Sequence, residues 1–223
     1  MAMPTFLSPR TGKARVAFTR YAPRLVIMAK TPIAGRVKSR LARGVGIVSA
    51  TAAYRSMLGA LIARLSEDRR WTTLLAISPD WAVSSPMFPA HVLRMRQGRG
   101  DLGERLQRIT EVVPRGPLVV IGSDCPGVTP TDIAAAFRRL GRSDVVLGPS
   151  ADGGYWLVGL KRRPRLRRAF DNVRWSTAHA LADTRANLSG LRIAELRRLA
   201  DIDGAADLAS QRRLIGRNVL PRD

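Results

Sequence analysis

Short apolar runs recur along the chain and alternate with longer stretches whose apolar positions fall at helical spacing. Residues 24–30, RLVIMAK, are the first such run and enter a Pro/Gly loop, TPIAGR, which predicts a buried strand followed by a loop. Over 49–67, Ala53, Met57, Ala60, Leu61 and Leu65 share one helical face, and 72–78, TTLLAIS, returns to strand character before Pro79. The same reasoning predicts a strand over 91–95, a helix over 102–113 and a strand over 117–122, PLVVIG, the clearest buried strand of the chain. A helix over 131–140 follows, with Thr129 as its cap and Pro130 at its first position. Strands over 144–148, 154–160 and 191–196 and helices over 177–189 and 204–215 complete the expected set. Strand and helix alternate throughout, without internal repeat or linker. That order predicts an α/β fold whose mainly parallel sheet is covered on both faces, with ligands at the carboxyl ends of the strands.

Composition narrows the class. A length of 223 residues suits one large α/β domain, and 45% hydrophobic with 25% charged residues is the balance of a folded globular chain. We therefore expect one domain over 24–223, preceded by a basic extension over 1–23. Residues 1–22 lack the apolar core of a secretory signal and read as a basic tail, a misassigned start or a transit-like segment. No apolar run approaches the ~20 residues that span a bilayer, so no membrane span is expected. The single cysteine, Cys125, excludes an intrachain disulfide and Cys-rich zinc sites, and fits a reducing cytoplasm.

Lys and Arg total 38 against 17 Asp and Glu, giving a formal charge of +21 and a long-range attraction for polyanions. Charge alone does not identify the anion. No basic helix, zinc-finger spacing or aromatic-basic interleaving is present, and aromatics are 5% of the chain, too few for a base-stacking platform, so no specific nucleic acid is expected. The pairs Arg138-Arg139, Arg162-Arg163, Arg167-Arg168, Arg197-Arg198 and Arg212-Arg213 sit beside apolar residues and read as solvated helix faces.

Four constellations carry candidate chemistry. The loop after the first strand runs from Lys30 to Leu41 and concentrates Lys30, Arg36, Lys38 and Arg40 around Gly35, a cationic set suited to a diphosphate or triphosphate. It lacks the Gly-Lys-Ser/Thr ending of a Walker A loop, and a solvated basic loop explains it about equally well. The Gly-rich stretch QGRGDLGERL lies too far from the first strand for a dinucleotide fingerprint and reads as a turn before a helix. Ser123-Asp124-Cys125-Pro126 follows the most apolar strand, so Asp124 should emerge at the ligand-bearing edge, where a carboxylate can hold Mg²⁺ or Mn²⁺. For a lone Asp before Cys-Pro, a turn-capping role is the competing explanation.

Asp152-Gly153-Gly154-Tyr155-Trp156 lies between two apolar runs. Its glycines allow close approach to a sugar or other acceptor, and a tight hairpin requires the same residues. Asp201 and Asp203 follow the 191–196 strand and alternate to the same side, so they either complete a metal site with Asp124 or cap the last helix. His91 and His179 stand apart without a Ser or Cys partner and read as structural, as does Cys125, whose neighbouring carboxylate disfavours a thiolate.

Taken together, MAKTPIAGRVKSRLA, GDLGERL, IGSDCPGVTP, DVVLGPSADGGYWLVGL, RWST and DIDGAADL resemble the selenodomain-associated transferase 1 family of bacterial glycosyltransferases over about residues 24–210. The resemblance implies a three-layer α/β/α, Rossmann-like nucleotide-diphospho-sugar transferase fold of the GT-A type. The family is similar in turn to phospholactate guanylyltransferases and molybdenum-cofactor nucleotidylyltransferases. By that resemblance Lys30, Gly35, Arg36, Lys38, Arg40 and Ser123 surround the nucleotide, with Lys38 and Arg40 on its phosphates. Asp124 holds the metal, with Asp201 or Asp203 as second carboxylate. Asp152 through Tyr155 face the acceptor or sugar, and Trp175, Ser176 and Thr177 line the far side. Gly204-Ala205-Ala206 departs from the Thr-Pro-Glu-like run common after Asp-Ile-Asp.

The leading expectation is a metal-dependent transferase with Lys38 and Asp124 at its centre, moving a sugar from a nucleotide-diphosphate donor to a small acceptor. The alternatives are a guanylyl- or cytidylyltransferase that uses an NTP, and a basic nucleic-acid-binding protein without turnover, supported by charge alone.

Overall fold

The computed structural model describes Thr19, residues 21–162 and residues 169–201. The expected helix over 204–215, Asp203, and the Arg167-Arg168 and Arg212-Arg213 pairs lie outside these residues. Seven strands form one sheet: β1 (Arg24–Lys30), β2 (Thr72–Ser78), β3 (Leu93–Arg96), β4 (Leu118–Gly122), β5 (Val145–Pro149), β6 (Tyr155–Leu160) and β7 (Ile193–Glu195). Their spatial order is β3-β2-β1-β4-β6-β5-β7. All pairings are parallel except those of β6, which runs antiparallel to both β4 and β5. The carboxyl ends of β1, β4, β5 and β7 therefore share one edge.

Helices α1 (Ser39–Val45), α2 (Ile47–Ser66), α3 (Leu102–Val112), α4 (Pro130–Leu140) and α5 (Ala180–Asn187) accompany the sheet, with a 3-10 turn over Asp80–Ser84. Strand residues alternate between two layers. Leu25, Ile27, Val119 and Ile121 pack in one core with Leu58, Leu61, Leu65 of α2 and Ile133, Ala136 of α4. Val26, Leu74, Val120 and Val158 face the other with Leu106 and Ile109 of α3. Burial on both faces is why these strands read as unbroken apolar runs. Each of the Val, Leu and Ile side chains contributes about 1.5–3 kcal/mol of burial free energy.

Helix α1 corrects the expected loop, which ends at Lys38 rather than Leu41. Leu41, Ala42 and Val45 pack with Ala50, Ala53 and Met57 of α2 in a small third cluster, and seven residues are too few to show a helical period. At α4 the expected cap is present. Thr129 accepts from the Asp132 amide, the Asp132 carboxylate accepts from the Thr129 amide, and Pro130 opens the helix.

The solvated-arginine expectation needs correction at two of its pairs. Arg162 donates to the carbonyl oxygens of Gly116 at 2.8 Å, Val113 at 2.8 Å, Thr110 at 3.1 Å and Pro114, which locks the turn leading into β4. Arg197 grips both carboxylate oxygens of Asp132 at 2.7 and 2.8 Å, clamping the exit of β7 onto the start of α4. Arg24 and Arg94, both fully buried, likewise donate to loop carbonyls. A planar guanidinium satisfies several carbonyls at once, which helical spacing cannot reveal. No helix among the described residues is long and apolar enough to cross a membrane.

Candidate active site

The first loop leaves β1 at Lys30 and turns through Gly35, whose φ of 76° is a conformation that L side chains rarely adopt. It reaches Lys38, which takes a left-handed conformation (φ 50°, ψ 47°) immediately before α1. That conformation is uncommon for a side-chain-bearing residue and persists where the surroundings dictate it. The Lys38 ammonium lies 2.8 Å from Asp124 Oδ1; the Lys38 side chain is 5% exposed and that of Asp124 is 51% exposed. The loop after β1 and the loop after β4 thus meet through the cation and the carboxylate expected to serve different parts of a ligand. Lys30, Gly35, Arg36 and Arg40 are exposed around them.

Tyr54 of α2, which the sequence reading did not single out, ties the two loops from below. Its hydroxyl accepts from the Lys30 amide at 3.1 Å, contacts the Lys30 carbonyl oxygen at 3.2 Å and bonds Ser123 Oγ at 2.9 Å. Burial, reinforced by the charge of Asp124, pushes its phenol up to about 12, so it stays protonated. Ser123 is buried and spent on this bond. The only sequence signal was a polar hydroxyl on the otherwise apolar face of α2.

Beyond β7 the chain continues beside the end of β5, with Leu199 bridging Ser150, and this carries Asp201 to the same edge. The Cys125 thiol donates to Asp201 Oδ1 at 2.8 Å. Burial first, then the charges of Asp201 and Asp124, drive that thiol far above its ordinary pKa, with Lys38 opposing. Cys125 is therefore an inert packing residue, as its sequence context suggested. Asp124 and Asp201 offer the oxygen donors that Mg²⁺ or Mn²⁺ prefers, and these cations take one or two protein carboxylates beside phosphate. Among the described residues no three His, Cys, Asp or Glu side chains converge on one point. Asp203 lies outside the described residues.

The hairpin joining β5 to β6 brings Asp152 to this edge. Asp152 Oδ1 accepts from Ser150 Oγ at 2.5 Å and from the Gly154 amide at 3.0 Å. Burial raises its pKa, yet these bonds and the charge of Arg40 hold it below the usual carboxylate value. The last effect places Arg40 of α1 toward the hairpin. Gly153 (φ 84°) lies so close to the backbone of Ala178 that an added Cβ would stand 2.4 Å from the Ala178 carbonyl oxygen, so this turn requires glycine.

Other candidates are placed differently. The Tyr155 ring meets Trp175 edge-on at 6.2 Å, Trp175 lies 6.5 Å from Phe170, and the Tyr155 hydroxyl accepts from Thr184 at 3.3 Å. These rings are engaged in the second core. Ser176 and Thr177 are exposed, and Thr177 Oγ1 donates to the Arg174 carbonyl at 2.7 Å. His91 and His179 are exposed, and His91 Nε2 lies 3.3 Å from Ser66 Oγ. Two surface grooves contain no candidate residue: one of about 460 Å³ beside Phe88 and Arg94, and one of about 580 Å³ lined by Arg138, Arg139, Arg142, Ser143 and Ala194. The second lies at the carboxyl end of α4, where cations offset the helix dipole.

The sheet order, its single antiparallel strand and the helices on both faces define the three-layer nucleotide-diphospho-sugar transferase fold. A structure from Desulfovibrio desulfuricans G20, provisionally named a nucleotide-diphospho-sugar transferase, is similar with a TM-score of 0.71 and 22% identity, covering 87% of this chain and 96% of that one. The 2-C-methyl-D-erythritol 4-phosphate cytidylyltransferase of Thermus thermophilus is similar with a TM-score of 0.55 and 15% identity, covering 88% and 99%. Rv0371c from Mycobacterium tuberculosis H37Rv, solved in complex with manganese, has a TM-score of 0.51 and 21% identity, covering 88% and 99%. No curated protein sequence matches the chain. The profile of the family described as "Uncharacterized protein conserved in bacteria (DUF2064)" matches residues 61–177, and the chain belongs to that family. The matched segment contains Asp124, Asp152–Tyr155 and Trp175–Thr177; Lys38 precedes it.

Proposed function

We propose that the chain is a metal-dependent transferase acting on an activated nucleotide, with residues 24–223 as one catalytic domain of the selenodomain-associated transferase 1 type. The observation that carries this reading is the Lys38–Asp124 pair at the carboxyl edge of the sheet, 2.8 Å apart. A cation donor for phosphate and a carboxylate for a hard metal adjoin there, where ligands bind in open α/β sheets. The manganese complex of the similarly folded Rv0371c supports the choice of metal.

In this reading Lys38 and Arg40 neutralise the diphosphate, with Lys30 and Arg36 adding field at the loop. Asp124, with Asp201 or Asp203, would hold Mg²⁺ or Mn²⁺. Such a cation, when bound, stabilises negative charge on the departing phosphate oxygens. Asp152, kept ionised, accepts a hydrogen bond from the acceptor hydroxyl and orients its oxygen. Tyr155 and Trp175 support the hairpin and the 175–180 segment, and Gly153, Gly154, Ser176 and Thr177 border the acceptor side. Sugar transfer from a nucleotide-diphosphate donor is the preferred reaction. Nucleotidyl transfer to a phosphorylated acceptor is the second reading, favoured by the cytidylyltransferase of the same fold.

A thermal-shift screen of the wild type and Asp124→Ala against nucleotide sugars and NTPs, with and without Mn²⁺, separates these readings. Saturation at about a hundred times Kd should stabilise the native state by about 2.7 kcal/mol. We expect a metal-dependent rise with one nucleotide sugar, lost in Asp124→Ala. A rise with an NTP alone would select nucleotidyl transfer, and no rise with any ligand would reject the metal-nucleotide site.

A further inference from the structure

The ion pair joins two groups that the proposed reading assigns to opposite halves of a ligand, the phosphate and its metal. Each charge is satisfied by the other. The Lys38 side chain is 5% exposed, so its ammonium is withdrawn from water onto Asp124 Oδ1 rather than extended toward solvent. It sits there in a left-handed backbone conformation that disfavours side-chain-bearing residues. Three charges bear on the Cys125 thiol beside the pair, those of Asp124, Asp201 and Lys38. Lys38 is the cation in that set, so it offsets part of the field that would draw a metal ion to the two carboxylates.

We propose that Lys38 and Asp124 act as mutual counter-ions, so that the site resists a bare metal ion and a bare phosphate and accepts a metal–diphosphate chelate as a unit. A metal ion arriving alone has to compete with an ammonium for Asp124. A phosphate arriving alone has to draw Lys38 from its carboxylate and leave Asp124 uncompensated. A chelate replaces both interactions at once, the metal taking Asp124 while the phosphate takes Lys38. The substrate class is then a nucleoside diphosphate or triphosphate derivative already bound to its divalent cation. This inference rests on the metal-nucleotide reading and adds an order of assembly to it.

The consequence is counter-intuitive, because removing either partner should strengthen binding of the opposite half. Isothermal titration calorimetry with Mn²⁺ alone and with inorganic pyrophosphate alone tests this on the full chain. The variants are Lys38→Gly, which suits the left-handed backbone, Lys38→Met as a second uncharged replacement, and Asp124→Asn. We expect Mn²⁺ to bind about tenfold or more tightly to both Lys38 variants than to the wild type, and pyrophosphate to bind about tenfold or more tightly to Asp124→Asn. Unchanged or weaker binding in the variants, with measurable binding of both probes to the wild type, would overturn the counter-ion inference and leave the metal-phosphate site standing. Binding of neither probe to any of the proteins would remove the site itself, and the inference with it.

Discussion

Tyr54 occupies the point where the two loops of the candidate site are closest to the core, and its hydroxyl is the only side-chain group bonded to both Lys30 and Ser123 among the described residues. Phe at this position preserves the ring packing and deletes the bonds, leaving the Lys30 amide and Ser123 without this partner. Tyr54→Phe should lower unfolding stability by about 1–2 kcal/mol, read from urea denaturation. An unchanged denaturation midpoint would show that the hydroxyl does not tie the loops. Lys38, Asp124 and Asp152 were legible because each belongs to a chemically pointed motif after an apolar run. Tyr54 was not, because its partners lie 24 and 69 residues away in sequence and only the packing of α2 brings them together. Arg162 read as part of a solvated pair for a different reason: its acceptors are backbone carbonyls, which carry no residue-type signal.

Among the elements, β1 and β2 have the bounds their patterns predict, because burial on both faces makes their interiors, Leu25–Ala29 and Leu74–Ile77, unbroken apolar runs flanked by polar residues. Elements at the margins were harder. Helix α5 spans Ala180–Asn187 rather than 177–189, since Thr177 and His179 build a turn that bonds the Arg174 carbonyl before the helix begins. That turn is held by Asp183, whose carboxylate accepts from the Arg174 amide at 3.0 Å and from its guanidinium at 2.9 and 2.8 Å. The guanidinium bonds first, then the amide bond, lower the Asp183 pKa to about 2. A carboxyl depressed in the folded state stabilises fully above its unfolded value and loses that contribution as pH falls through the folded one. The 174–183 segment should therefore loosen between about pH 4 and about pH 2, read as faster hydrogen exchange of the Arg174 amide beyond its intrinsic pH dependence. Asp183→Asn should exchange fast across that whole range. Equal protection in both proteins would mean that the carboxylate does not hold the turn.

For the whole molecule, the fold class was legible because strands and helices interleave along the chain, although the alternation breaks where only a 3-10 turn separates β2 from β3 and where a hairpin joins β5 to an antiparallel β6. The sheet then fixes where chemistry can occur. Four strand ends deliver Lys30, Asp124, Asp152 and the segment bearing Asp201 to one edge, although these residues are spread over most of the sequence. The net charge of +21 is less informative. Several arginines are structural, binding loop carbonyls or pairing with Asp68, Asp132, Asp144, Asp183 and Glu195, and the charge names no partner by itself. What defines the candidate site is the meeting of the Lys38 cation and the Asp124 carboxylate at that edge, to which the proposed function assigns the phosphate and the metal. The most direct test is a crystal grown with Mn²⁺ and a nucleoside diphosphate, with the metal located by its anomalous scattering. The account predicts one manganese on the Asp124 carboxylate at about 2.0–2.6 Å, the range of hard cation–oxygen bonds, with the diphosphate on Lys38. Manganese and nucleotide ordered elsewhere on the surface, with the Lys38–Asp124 pair intact, would contradict it.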